Sequence, residues 1–84
     1  MKPAVLVSSI DGEWEGLYID DRLIDEGHKL GDGNYREFWL SIAHNFGIRS
    51  EDIAHIELNS SDNKELSEVG NLPAKFTELG PYDY

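Results

Sequence analysis

Hydrophobic and polar positions change period along the chain, and the changes mark its elements. Ala4–Ile10 carries the β-branched residues Val5, Val7 and Ile10 with no helix cap before them, which predicts a strand. Asp11-Gly12 follows as a hairpin signal of the two-residue kind, where both central positions need positive φ. Trp14–Ile19 is the return strand. That loop sets Leu6 opposite Leu17 and Ala4 opposite Ile19, and opposed residues share a face, so these four define the expected core side. Asp20-Asp21 is a second turn without glycine, and Arg22–Leu30 a third strand. Its register sets Leu17 against Ile24 on the core face, and Tyr18 against Leu23 on the other. Val5 and Trp14 make that second face partly apolar. Gly16 and Gly27 fall inside strands, where glycine marks a bulge or a close approach.

The period then lengthens. Tyr35, Phe38, Trp39, Ile42, Ala43 and Phe46 recur at helical spacing and form a wide aromatic stripe. Asn34 is placed to cap this helix, with Glu37 at the capping-box position, and Gly47 to end it. The stripe reads as core, because three strands need a cover. Ser50 can cap a short turn through Glu51 and Asp52. Ala54, Ile56 and Leu58 then alternate with His55 and Glu57 as a fourth strand; a helix over Ser50–Leu58 is the alternative. Ser61–Val69 fits a short helix ended by Gly70. Leu72-Pro73 and Phe76 with Leu79 read as packing anchors in an irregular tail, and residues 80–84 as a loose end. The expected fold is a single α+β domain: a small antiparallel sheet in the order β-β-β-α-β, with one amphipathic helix on one face.

Size and charge narrow the function. The chain has 84 residues, and a domain this short buries only about 60–65% of its unfolded surface. Little room is left for a deep cleft with a rigid surround. There is no cysteine, which excludes disulfides, thiolate metal sites and thiol nucleophiles. The four apolar residues Ala4–Leu6 and Val7 are too few for a signal core or a membrane span, so a cytoplasmic protein is expected.

The net charge is −10, from 17 acids and 7 bases. This opposes direct nucleic-acid binding, which depends on cations displacing phosphate counterions, and it opposes anionic membranes. It favours a cationic partner. The segment from Asp11 to Glu26 holds seven acids against Arg22, and that from Glu51 to Tyr84 eight acids against Lys64 and Lys75. Residues 27–50 between them sum to +1. Solvated surface that keeps a small domain soluble is the plain explanation.

Motifs for chemistry are weak. Gly31-Asp32-Gly33 lacks both the dinucleotide and the P-loop pattern, and Asp32 would repel a phosphate. His28, His44 and His55 have no metal-ligand spacing. The pairs Asp20 with Asp21, Asp25 with Glu26 and Glu51 with Asp52 fall in turns or point to opposite strand faces. Asn59, Asp62 and Asn63 lack the glycine and terminal Glu of a calcium loop. Ser8, Ser9, Ser60 and Ser61 have no nucleophile elbow. Neither enzymatic activity nor a cofactor is expected.

The informative feature is acids mixed with aromatics around the two hairpins. Trp14 lies between Glu13 and Glu15, and alternation can bring Glu13, Glu15 and Glu26 together. A rigid row of carboxylates imitates phosphates toward a nucleic-acid-binding groove, and adjacent aromatics supply strong contacts. The alternative is that Trp14 and Tyr18 fill a second small core under the tail. On the first reading the partner-binding residues are Glu13, Trp14, Glu15, Asp20, Asp21, Asp25 and Glu26. They serve an inhibitor or adaptor that docks on the basic surface of a partner protein, such as a nuclease or defence protein. A second reading is a small-ligand or metal-binding module, alone or in an oligomer, using Tyr18, His28 and Gly31–Gly33; a third is an assembly component.

The run Trp14-Glu15-Gly16-Leu17-Tyr18-Ile19-Asp20, with Leu23-Ile24-Asp25-Glu26-Gly27-His28 and Leu66-Ser67-Glu68-Val69-Gly70-Asn71-Leu72-Pro73, resembles short acidic uncharacterised proteins of phages and bacteria. In size and charge the chain is similar to phage-encoded inhibitors, including nucleic-acid mimics and anti-CRISPR proteins. The resemblance implies an inhibitory binding role and assigns no residue a function.

Overall fold

The chain runs β1 (Ala4–Ser8), β2 (Glu15–Ile19), β3 (Arg22–Gly27), α1 (Tyr35–Phe46), β4 (Ile53–Glu57) and α2 (Ser60–Val69). This is a computed structural model that describes residues 3–82. The strands form one sheet in the order β3-β2-β1-β4. β1 pairs antiparallel with β2, with Ala4 opposite Ile19 and Leu6 opposite Leu17, as the apolar pattern requires. β4 pairs with β1 in parallel, so the sheet is mixed and not purely antiparallel. The reason is the crossover. The twelve-residue α1 spans about 18 Å, close to a strand's length, and returns the chain to the end from which β3 set out. The next strand therefore runs in the direction of β3, which is also that of β1.

Both faces of the sheet are covered. On one, Ala4, Leu17 and Ile19 pack with Leu30, Ile42 and Ile48, and Phe38 and Trp39 close the layer. On the other, Val5, Val7, Tyr18 and Ile56 pack with Leu58, Leu66, Leu72 and Phe76. A second helix, α2, contributes Leu66 to that layer, so one helix does not suffice. The Asn59 side chain caps α2 by accepting the Asp62 N–H at 2.8 Å. The α1 stripe is only partly core. Phe38, Trp39 and Ile42 face the sheet side, while Tyr35 and Phe46 are 40% and 45% exposed. Asn34 precedes α1 without a side-chain cap bond, so the expected capping box does not form.

The turns also depart from expectation. The first hairpin closes a four-residue loop, with the Ser9 N–H bonded to the Trp14 carbonyl at 2.9 Å. Only Gly12 there has positive φ. The register survives because Ser9 and Trp14 belong to the same ladder as the expected pair. Asp20 and Asp21 both have positive φ (49° and 71°) and make the tight turn that glycine usually makes. Tyr18 then pairs with Leu23 as expected. Next, a bulge shifts the register and sets Leu17 opposite Asp25. Ile24 is thereby thrown outward, 37% exposed, and does not join the core.

The third strand ends at Gly27, not Leu30. Gly16 is a close approach: a Cβ there would collide with the Leu72 side chain. The tail is ordered by that contact and by pairing with β3. The Leu23 N–H donates to the Ala74 carbonyl at 2.9 Å, and the Phe76 N–H to that of Asp21 at 3.1 Å. Within the expected loose end, Gly80 and Tyr82 are anchored to α2 (below); residues 83–84 lie outside the described residues.

Candidate protein-binding surface

The hairpin loop between β1 and β2 is organised by one buried hydroxyl. Ser9 Oγ donates to Asp11 Oδ1 at 2.6 Å and accepts the Trp14 N–H at 3.0 Å. Asp11 Oδ1 also accepts the Glu13 N–H at 3.0 Å. The Ser9 hydroxyl first, and the Glu13 N–H next, hold the Asp11 carboxyl below its ordinary range. The Glu13 carbonyl accepts from His28 Nδ1 at 2.8 Å, which fixes the proton on that nitrogen. The His28 ring stands edge-on to Trp14, with centroids 5.1 Å apart.

The seven nominated residues do not make one row. Sheet alternation sends Glu15 and Asp25 toward the α1 layer and Trp14 and Glu26 toward the tail layer, so Glu15 and Glu26 lie on opposite faces. Four of the six carboxylates hold the fold. Glu15 Oε2 accepts the Leu30 N–H and the Tyr35 hydroxyl, both at 3.0 Å. Asp25 Oδ2 accepts the Gly31 N–H at 3.1 Å. Glu26 Oε1 accepts the Leu72 N–H at 2.7 Å and Trp14 Nε1–H at 3.1 Å. Asp21 accepts both the N–H and the hydroxyl of Thr77, at 2.8 and 3.0 Å. Asp20 and Glu13 are exposed. Trp14 is half-buried against the second core, beneath the tail, as the alternative reading has it.

These bonds bear on a phosphate or small-ligand site at Gly31–Gly33. Gly31 and Asp32 are both left-handed, and consecutive N–H groups in such a connector can cradle an anion. Here the anions are the chain's own: Glu15 takes the Leu30 N–H and Asp25 the Gly31 N–H. Tyr18 is 1% exposed and donates its hydroxyl to the Pro73 carbonyl at 2.7 Å. Among the described residues no group of three or more histidines and carboxylates converges on a metal position. Among them, too, no helix is long and apolar enough to cross a membrane.

A surface the sequence did not single out lies around α2. Between α2 and the tail runs a groove of about 270 Å³ with Leu66, Leu72 and Leu79 as its floor and Asp62, Glu65 and Glu78 among its walls. On the other side of α2 a second groove of about 240 Å³ is bounded by Asp11, Glu13, Trp14 and His28. Val69, at the end of α2, is 64% exposed. The available signal was Glu65 beside Leu66 and Val69, the only large apolar residues of that helix.

The tail wall is fixed by Asp62. Its Oδ2 accepts the Tyr82 hydroxyl at 2.6 Å and the Gly80 N–H at 3.0 Å, and the Tyr82 oxygen accepts the Asn59 N–H at 3.0 Å. Burial, then the Asp62 carboxylate, raise the Tyr82 phenol from 10.0 to about 12. Tyr18 is also pushed up, by burial and then by the Glu26 carboxylate. The fold thus holds protons that the unfolded chain releases above pH 10. This stability is complete below that pH and is lost as pH rises toward about 12. Alkaline titration followed by tyrosinate absorbance and circular dichroism is expected to show late-ionising tyrosines whose ionisation coincides with unfolding. Ionisation of every tyrosine near 10, with the fold intact, would contradict the anchoring.

No family model matches the chain, and neither a curated protein nor a solved structure matches it.

Proposed function

We propose that this protein is a binding module without chemistry of its own, which docks its α2 face on the basic surface of a partner protein. One observation carries the reading: the groove between α2 and the tail combines an apolar floor of Leu66, Leu72 and Leu79 with acidic walls at Asp62, Glu65 and Glu78. Lys and Arg side chains suit such a groove, because their methylene stems cover apolar surface while the charged heads meet carboxylates. The net charge of −10 adds long-range attraction that raises the encounter rate. A surface that otherwise holds nucleic acid has the required basic character, and the resemblance to phage-encoded inhibitors points the same way.

Within this reading the contact residues differ from the seven nominated. Glu65 and Val69, on the groove between α2 and the tail, are exposed and serve the partner, and Glu13 borders the second groove beside α2. Glu15, Asp21, Asp25 and Glu26 contribute charge, but their geometry is committed to backbone donors.

The test is titration calorimetry with a short amphipathic peptide rich in Lys and Arg. Affinity is expected to fall about tenfold or more between about 0.05 and about 0.5 M salt. The double substitution Glu65→Lys with Val69→Lys, at two exposed positions lining the groove, is expected to abolish binding while leaving the unfolding midpoint near that of the parent. Binding that ignores both salt and these substitutions would refute the proposal.

A further inference from the structure

Helix α2 stands as a ridge between two grooves. Asp62, Glu65 and Val69 line the groove on its tail side, Asn63, Ser67 and Gly70 the groove on its hairpin side, and Leu66 reaches both. The far wall of the hairpin-side groove is the β1–β2 loop with Asp11, Glu13 and Trp14, closed by His28 just past the end of β3. The Ile10 N–H donates to the Asn63 side chain at 2.9 Å, which ties that loop to α2.

Three properties of this groove point to a cationic guest. Its lining holds two acids and no lysine or arginine. Those two acids have accepting capacity left. The bonds from Ser9 and Glu13 both fall on Oδ1 of Asp11, which leaves Oδ2 for an incoming donor. The Glu13 carboxylate accepts no hydrogen bond among the described residues. Glu15, Asp21, Asp25 and Glu26 differ, since backbone donors already occupy them. Finally, the Trp14 indole is in place before any guest arrives. Glu26 holds its Nε1–H at 3.1 Å, and the His28 ring packs against it with centroids 5.1 Å apart. Binding therefore loses little to ordering that ring.

We propose that this groove takes the guanidinium of an arginine from a partner protein, stacked on Trp14 and bonded to the carboxylates of Asp11 and Glu13. Arginine suits it better than lysine. Its planar head stacks on an aromatic ring, its fork of N–H groups matches a carboxylate edge, and its methylene stem can cover Leu66. The inference rests on the reading that a basic partner docks on the α2 face, and it gives that partner a second anchor. A helix with its side chains is about 10–12 Å across, so a partner that fills both grooves carries two cations about that far apart.

Two-dimensional NMR of the full chain, at about pH 8 so that histidine is neutral, tests this with N-acetyl-arginine amide as the probe. The chain has two indole N–H signals, from Trp14 and Trp39. The Trp14 signal is expected to move saturably with a Kd of about 1–30 mM. That of Trp39, in the other core layer, should stay still. The citrulline counterpart, which has the shape without the charge, and the lysine counterpart are expected to bind about threefold or more weaker. Glu13→Lys puts a cation of the chain's own at the groove and is expected to weaken arginine binding about tenfold or more. Glu13 is exposed, so the unfolding midpoint should not change. The Glu65→Lys with Val69→Lys variant alters the other groove and should keep the Trp14 response. A Trp14 signal unmoved at about 50 mM probe, an equal response to citrulline or lysine, or indifference to Glu13→Lys overturns the inference. Binding of the basic peptide that depends on Glu65 and Val69 but not on Glu13 also overturns it, and leaves the broader reading standing. A Trp14 response to arginine in a chain that ignores the basic peptide supports the groove and refutes the broader reading.

Discussion

A chain ended after Gly70 is expected to lose cooperative unfolding. The truncation removes Leu72 and Phe76, which are 6% and 8% exposed, together with Leu79 and Tyr82, which pack beside them. It uncovers Val5, Val7, Tyr18 and Leu23 over one whole face of the sheet. Burying a large apolar side chain contributes about 1.5–3 kcal/mol, so four such residues contribute on the order of 6–12 kcal/mol. The total stability expected for a domain of this length is about 4–13 kcal/mol. The backbone pairing of the tail with Leu23 and Asp21 is lost as well. Urea titration should show a broad transition, with retained far-ultraviolet but lost near-ultraviolet dichroism and uptake of a hydrophobic dye. Ending the chain after Leu79 instead removes the Tyr82 anchor and keeps Leu72 and Phe76, so an intermediate loss is expected. A sharp transition at the parent midpoint in the shorter chain would show that the tail is dispensable.

Glu26→Ala is the second large effect, at about 2–4 kcal/mol. One carboxylate oxygen serves the Leu72 N–H at 2.7 Å and Trp14 Nε1–H at 3.1 Å. Both donors sit in a partly buried layer, and alanine leaves both without a partner. Glu26→Gln keeps an acceptor oxygen but gives up the charge-assisted part of each bond, so it should cost less than half as much. Denaturation followed by Trp14 fluorescence reads both, because detachment of the indole should also shift its emission. Equal stability of the two variants would mean that the bonds to Glu26 are not what holds Leu72 in place. A lysine at Glu15 or Glu26 would for the same reason disturb the fold before it reported on any partner.

Much of the fold is legible in the residues, and the misses have physical causes. The β1–β2 register follows from Ala4, Leu6, Leu17 and Ile19 alone, because a one-residue slip would turn all four to the other face. It therefore survives a misjudged turn. The parallel placement of β4 was available in principle, since a strand, a helix of matching length and a strand return the chain in the same direction. The bulge at Ile24 was not. Nothing about an isoleucine between Leu23 and Asp25 announces that it will be turned outward, and the benefit appears only when Asp25 meets the Gly31 N–H.

The roles of the acids were hidden for a similar reason. A carboxylate reads as surface charge unless the sequence shows which backbone donors lack partners. The clue was a Leu30–Gly33 connector with no serine, threonine or asparagine of its own to satisfy Leu30 and Gly31. Asp62 is the same case, with its donors eighteen and twenty residues away in sequence.

The central position of β1 has a consequence for how the protein is made. It leaves the ribosome before the other three strands of its sheet, yet one of its two neighbours is Ile53–Glu57. At ribosomal speed the intervening residues take a few seconds to emerge. Through that interval the nascent hairpin carries Val5, Leu6 and Val7 along an unfilled seam, while later strand partners are still inside the exit tunnel. The seam is where another nascent chain, or a chaperone, would attach first.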